Sequence, residues 1–473
     1  MTHTVEKIGG TSMSRAHELK DTLFRKNGEV VYNRAFVVSA FGGITNLLLE
    51  HKKSGEPGVY RLFADSDEQD DAWEAGLDRV AEAMRKAHRV ILSHDDDIAE
   101  ADAFVAERID GAKSLLHDLK RLCTYGQFQL SEHLMTIREM LSGLGESHSA
   151  MATALMLRRD GVNARAVDLS GWRDDSVLTL EERLSNAWQD VDVAQEMPIV
   201  TGYCQCSTGL MKEYDRGYSE VTFAHLAALS GADEAIIHKE FHLSSADPNL
   251  VGLDKVRVLG TTNYDVADQL SNLGMEAIHP NAAKVLRQSG VALRVDNCFD
   301  QDNPGTVIDQ RKPDTPRVEM VTGLSVYALE LFEQDMVGEK GYDATILGVL
   351  DRHKLWIVSK NSNANTITHY LRGSLSQVKR AEEDLRKAYP DAGIVTEGLA
   401  MVAAVGRDLD GLRVISRGLI ALEEAGIPVK SVFQSGRNVD AQFIVAREHL
   451  DDGIRALHKA LIEEEETEMR KAG

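Results

Sequence analysis

Lys7-Ile8-Gly9-Gly10-Thr11-Ser12 combines residue types that could hold a phosphate. The lysine ends a short alternating run, residues 4–8, and supplies a compact positive charge. Paired glycines let the backbone turn tightly and bring bare N–H groups against a ligand. Strand, lysine, Gly-Gly turn and following helix make a phosphate cradle. On its own the same pattern equally fits a turn with no ligand. Further groups follow along the chain. Val38-Ser39-Ala40 and Thr45 place hydroxyls at a strand end, and Gly145-Glu146 puts a carboxylate at an expected helix start. Arg216-Gly217-Tyr218-Ser219-Glu220 reads as a flexible loop carrying a cation. Ser245-Ala246-Asp247-Pro248 is an acidic turn, and Ile278-His279-Pro280 opens another helix. Taken singly, Glu146 would also suit a helix N-terminus, and Arg216 a surface loop.

The elements that must position these residues alternate. Strands are expected at 4–8, 35–40, 162–169, 197–203 and 234–238, with helical patterns from 15, from 45, through 65–140, from about 145 and over 222–229. That alternation predicts an α/β fold with a mostly parallel sheet between helices. Ligands bind such sheets beyond the carboxyl ends of the strands, where both glycine turns and Gly202-Tyr203 fall. Residues 309–317, with two prolines, read as a linker. Beyond it a β-α-β-β-α order recurs weakly, with helices expected at 326–333, 377–388, 412–424 and 450–461 and strands at 355–358, 400–405, 429–433 and 442–445. The expected domains are therefore 1–308, 318–395 and 396–473, the last two meeting near 390–400 or interleaving.

The 473 residues are 43% apolar and 27% charged, as in an ordinary globular protein. The sequence shows neither a long apolar span nor a signal-peptide layout, so a cytoplasmic setting is expected. Cys123, Cys204, Cys206 and Cys298 form no C-x-x-C pair and suit reduced thiols. A formal charge of −22 argues against nucleic acid and anionic membranes as partners. An anionic substrate would need local cations working against that field.

In this order, the motifs above resemble the aspartokinase family, with its amino-acid-kinase fold, over nearly the whole chain. The C-terminal units resemble the paired ferredoxin-like ACT domains that regulate it, and the whole most resembles the ectoine-associated subtype. The resemblance implies transfer of the γ-phosphoryl of ATP to the β-carboxylate of L-aspartate, with Mg²⁺ bridging phosphate oxygens and no dedicated protein metal cage. It implies catalytic roles for Lys7, Arg216 and Glu220. Ser39, Thr45, Glu146, Arg216 and Ser219 would hold aspartate, with Glu146 on the ammonium and Arg216 on the α-carboxylate. Lys7, Gly9, Gly10, Thr11, Ser12, His238, Lys239, Ser245 and Asp247 would hold the nucleotide. A homo-oligomer through the ACT units is also implied.

Departures from the family pattern gather on the nucleotide side. Tyr218 and Glu220 stand where glycine and aspartate are usual, His238-Lys239 where threonine-aspartate is usual, and Glu276 where lysine is common. These leave open a kinase acting on another acidic amino acid, or an amino-acid sensor that no longer turns over. In the first ACT unit, Trp356-Ile357-Val358-Ser359-Lys360-Asn361-Ser362-Asn363 lacks the acidic residues that bind lysine in sensitive relatives. Weak or absent lysine inhibition is expected.

Overall fold

The computed structural model describes residues 3–52, 54–66, 71–214, 217–275, 277–310 and 315–464. The chain divides into two compact units, Met1–Leu243 with Ile278–Asp309, and Ser244–Ala277 with Gln310–Gly473.

The first unit is built on strands β1 (Thr4–Ile8), β2 (Arg34–Val38), β3 (Ala164–Val167), β4 (Met197–Thr201), β5 (Glu234–Lys239), β6 (Ala292–Asn297) and β7 (Thr306–Asp309). Their order is β3-β4-β2-β1-β5-β6-β7. All neighbours pair in parallel except β7, which runs antiparallel to β6. Because β1 lies between β2 and β5, its Gly-Gly turn opens at the middle of the sheet's carboxyl edge.

Side chains alternate faces along a strand. On β1, Glu6 and Ile8 therefore share one face and Lys7 takes the other. On the Glu6 face, Arg34 donates from Nε to Glu6 Oε1 at 2.6 Å and from Nη2 to Oε2 at 2.8 Å. His238 Nε2 lies 2.7 Å from Glu6 Oε2, and Arg34 also donates to the Leu23 and Phe24 carbonyls. Burial alone would raise the Glu6 carboxyl, but Arg34 and His238 outweigh it and hold the group far below the usual carboxylate range. This buried network ties β1, β2 and β5 together.

The long helical region resolves into Ala72–Ile91, Asp95–Cys123 and Leu130–Arg159. Glu146 lies in the middle of the last helix rather than at a helix start. Gly145, which suggested a start, serves packing instead, as does Gly143. A Cβ on Gly145 would lie 2.8 Å from the Ala40 Cβ, and one on Gly143 would lie 2.9 Å from the Tyr203 ring.

The second unit carries an antiparallel sheet of β8 (Arg317–Phe332), β9 (Trp356–Ser362), β10 (Thr366–Arg372), β11 (Gly393–Arg407), β12 (Ser431–Gln434) and β13 (Asp440–Ala446), ordered β9-β10-β8-β11-β13-β12. The helix expected at 326–333 is the end of strand β8. Pairing with β10 on one side and β11 on the other overrides its local helical spacing. Two cores form. Leu329 and Leu331 pack with Ile346, Leu350, Leu371 and Leu385, whereas Val318 and Val321 pack with Val402, Phe443 and Leu457. The single strand β8 thus feeds both ACT-like halves. Ala246 and Val251 join the second core, so residues 244–277 group with the C-terminal region and not with the first unit.

Candidate active site

Lys7 is the penultimate residue of β1 and is nine-tenths buried, with Nζ 3.5 Å from Glu220 Oε1. Glu220 sits in the first turn of the helix Tyr218–Ser230 and also accepts from the His279 N–H. Burial favours its protonated form. Lys7, Lys239 and the His279 N–H outweigh that and lower its pKa, so it stays ionised. Lys239 ends β5, on the same face as Lys7 by the register Lys7↔Ile237.

Gly10 fits only because it has no side chain. A Cβ there would lie 2.6 Å from the Ala40 carbonyl oxygen. The two loops that follow β1 and β2 are thereby pressed together. Ser14 fastens them, accepting from the Gly42 N–H at 2.7 Å and donating to the Gly10 carbonyl at 3.2 Å. Gly43, at φ +87°, then starts the short helix Ile44–Leu48 that carries half-buried Thr45.

On the β2 and β4 side, Ser39 Oγ lies 3.5 Å from Ser219 Oγ. A Cβ on Gly202 would lie 2.6 Å from the Ser219 Cβ and 3.1 Å from Glu146 Oε2. Ser39, Glu146, Gly202 and Ser219 therefore line one small space. Glu146 is 2% exposed, and among the described residues its Oε2 has no hydrogen-bond partner. Burial pushes its carboxyl up to about 8, against the opposing pull of the Tyr203 N–H, Lys7, the Tyr218 hydroxyl and the Ala40 N–H. A buried carboxylate oxygen without a donor is expensive unless a cation fills the space before it. The uncapped N-terminus of Tyr218–Ser230 adds a positive end to the same space. This arrangement suits a small zwitterion whose ammonium meets Glu146 and whose acid faces Lys7.

Residues 3–297 match the family model for the amino acid kinase family. The chain is 51% identical to aspartate kinase Ask_Ect of Stutzerimonas stutzeri (strain A1501), over 98% of both proteins. The chain belongs to the aspartate kinase family. Aspartokinase 1, chloroplastic, of Arabidopsis thaliana is 23% identical over 97% of this chain and 80% of that protein. The fold of this aspartate kinase matches E. coli aspartokinase III in complex with aspartate and ADP (R-state), with TM-score 0.71 and 18% identity. That alignment covers 97% of this chain and 99% of the other.

Several of the other expected site residues of the kinase make contacts of their own within the protein. His238 and Lys239, expected to contact the nucleotide together, point to opposite faces of β5. His238 is buried against Glu6, so Lys239 alone remains on the Lys7 face. Thr11 is exposed, whereas Ser12 is buried and donates to Glu240 at 2.7 Å. Ser245 and Asp247 belong to the second unit. There Ser245 Oγ lies 2.9 Å from His458 Nε2 and accepts from the Arg257 N–H, while Asp247 caps the turn Pro248–Val251. Arg216 and Glu276 lie outside the described residues, as does part of the expected linker. Tyr203 was legible only as the residue after a strand-end glycine. Its N–H to Glu146 and its ring contact with Tyr218, centroids 5.5 Å apart, appear only in three dimensions.

Proposed function

We propose that the chain transfers the γ-phosphoryl of ATP to the β-carboxylate of L-aspartate, giving 4-aspartyl phosphate and ADP. One observation carries the assignment of the amino-acid side. Glu146 offers a buried, unpartnered carboxylate oxygen close to the Ser39–Ser219 pair and within the field of Lys7. The ammonium of aspartate fits before Glu146, and Arg216 is assigned the α-carboxylate, which a guanidinium grips bidentately.

The attacking group is already ionised at neutral pH, so no general base is needed. A β-carboxylate oxygen attacks the γ-phosphorus, and the bond to the β,γ-bridging oxygen breaks. Catalysis then rests on positioning and on offsetting spread negative charge. Lys7, the N–H groups of the Gly9-Gly10 turn and Lys239 supply that offset. Glu220 holds Lys7 in place while remaining charged. Mg²⁺, when bound with the nucleotide, would neutralise phosphate charge. Glu220 is already taken up by Lys7 and the His279 N–H, which fits a metal carried mainly by phosphate oxygens.

Kinship with Ask_Ect supports the ectoine-associated subtype. A homo-oligomer through the ACT-like units and a cytoplasmic setting complete the proposal. Among the described residues no helix is long and apolar enough to cross a membrane. The test is a coupled assay with ATP and Mg²⁺ in which hydroxylamine traps the acyl phosphate. Aspartate should give hydroxamate. Turnover on glutamate in preference to aspartate, or on neither, would overturn the reading.

A further inference from the structure

Glu139 and Glu146 lie seven residues apart on the helix Leu130–Arg159, with Gly143 between them on the same face. Glu139 is fully engaged by the chain that follows β4. The Tyr203 hydroxyl donates to its Oε2 at 2.8 Å, and the Lys212 N–H donates to its Oε1 at 2.9 Å. Gly209, at φ +82°, makes room for this carboxylate, since a Cβ there would lie 2.6 Å from Oε1. Gly143 makes room for the Tyr203 ring in the same way. Lys212 lies in the short helix Leu210–Tyr214, so Glu139 ties down both ends of residues 203–212. Tyr203 in turn directs its own N–H at Glu146 and packs its ring edge-on to Tyr218.

We infer that Glu139 is a positioning residue for the amino-acid pocket. It acts on Glu146 through Tyr203, and its own carboxylate does not touch the substrate. By fixing the Tyr203 ring, it fixes the Tyr203 N–H that orients the Glu146 carboxylate. The remaining Glu146 oxygen is then turned toward the incoming ammonium. This inference rests on the proposed role of Glu146. The middle of this segment is held separately, by the Gln205 N–H on the Leu169 carbonyl and the Ser207 N–H on the Leu178 carbonyl. Removing the Glu139 carboxylate therefore frees the Tyr203 ring and the Lys212 N–H without releasing the whole segment. A glutamine keeps most of these contacts, because its oxygen accepts from Lys212 and its amide donates to a rotated Tyr203 hydroxyl.

The experiment compares E139L, E139Q, Y203F and the double variant E139L/Y203F with the wild type in the hydroxamate assay. KM is measured separately for aspartate and for ATP, and thermal melting is followed in parallel. E139L should raise the aspartate KM about tenfold or more, while the ATP KM stays within about twofold. E139Q should recover most of the loss. Y203F should show part of it, and the double variant should be no worse than E139L. An unchanged aspartate KM in E139L, an equal rise in both KM values, or additive losses in the double variant would overturn the inference. E146Q separates the two levels. If E146Q abolishes aspartate use while E139L is silent, only the positioning role falls. If E146Q leaves the aspartate KM unchanged, the assignment of Glu146 falls.

Discussion

Lys7 Nζ lies 3.5 Å from Glu220 Oε1, joining the end of β1 to the first turn of the helix Tyr218–Ser230. The pair is nearly closed off from water, with side-chain exposures of 11% and 16%. A charge removed from so enclosed a pair leaves its partner uncompensated. Glu220→Ala should therefore misplace Lys7 and lower kcat by about tenfold or more. Glu220→Asp should do less harm, since it keeps the charge. Steady-state kinetics on both variants checks this, and equal kcat in Glu220→Ala and wild type would refute it.

Gly10 gives a steric prediction. Its missing Cβ keeps it off the Ala40 carbonyl, a backbone atom that cannot swing aside. Gly10→Ala should push the loops after β1 and β2 apart and lower kcat/KM for ATP by about tenfold. Gly9→Ala meets only the Lys7 ammonium at 3.8 Å and should be milder. The two ATP titrations, run side by side, decide the point.

The elevated Glu146 carboxyl sets a pH profile. In the free protein it loses its proton only near pH 8, and only the ionised form attracts an ammonium. Below that pH, kcat/KM for aspartate should fall by about tenfold per unit. The kcat profile should lack this limb, because bound ammonium keeps Glu146 ionised. Stability runs the other way. A carboxyl raised above its unfolded value stabilises the fold fully below the unfolded value and loses that contribution as pH rises through the folded one. The melting temperature should thus fall between about pH 5 and pH 8 more in wild type than in Glu146→Gln, and added aspartate should narrow the difference.

The Arg34–Glu6–His238 network yields a stability prediction. Glu6→Ala would leave a buried guanidinium unpaired, at a cost of about 3–5 kcal/mol. Denaturant melts should show that loss while the folded fraction keeps its aspartate KM. The network was hidden in the sequence because its members lie on three strands far apart in the chain. The available signal was a titratable side chain, Glu6, Arg34 or His238, in each of three central strands.

The Gly-Gly turn and the alternation of strands with helices were legible because each depends on neighbours a few residues away. Glu146 was marked as a candidate, but its place in the helix was misjudged. Gly145 looks like a helix start until Ala40 is seen packed against it. The strand at 326–332 failed for a similar reason. Pairing on both sides by β10 and β11, invisible in local spacing, decides its conformation.

In the first ACT-like half, Asp343 is ion-paired with Lys360. A free amino acid's ammonium would have to compete with that built-in lysine, and β9 offers no acid of its own. Sub-millimolar lysine should leave the rate unchanged, and inhibition in that range would contradict the reading.

The central claim is that the Lys7 cradle handles phosphate while Glu146 handles the amino acid. Hydroxamate formation and calorimetric aspartate binding, measured on Lys7→Ala and Glu146→Gln in parallel, test it most directly. The account predicts that Lys7→Ala loses turnover by about a hundredfold yet still binds aspartate, whereas Glu146→Gln loses aspartate binding itself. Full turnover in Lys7→Ala, or undiminished aspartate binding in Glu146→Gln, would contradict it.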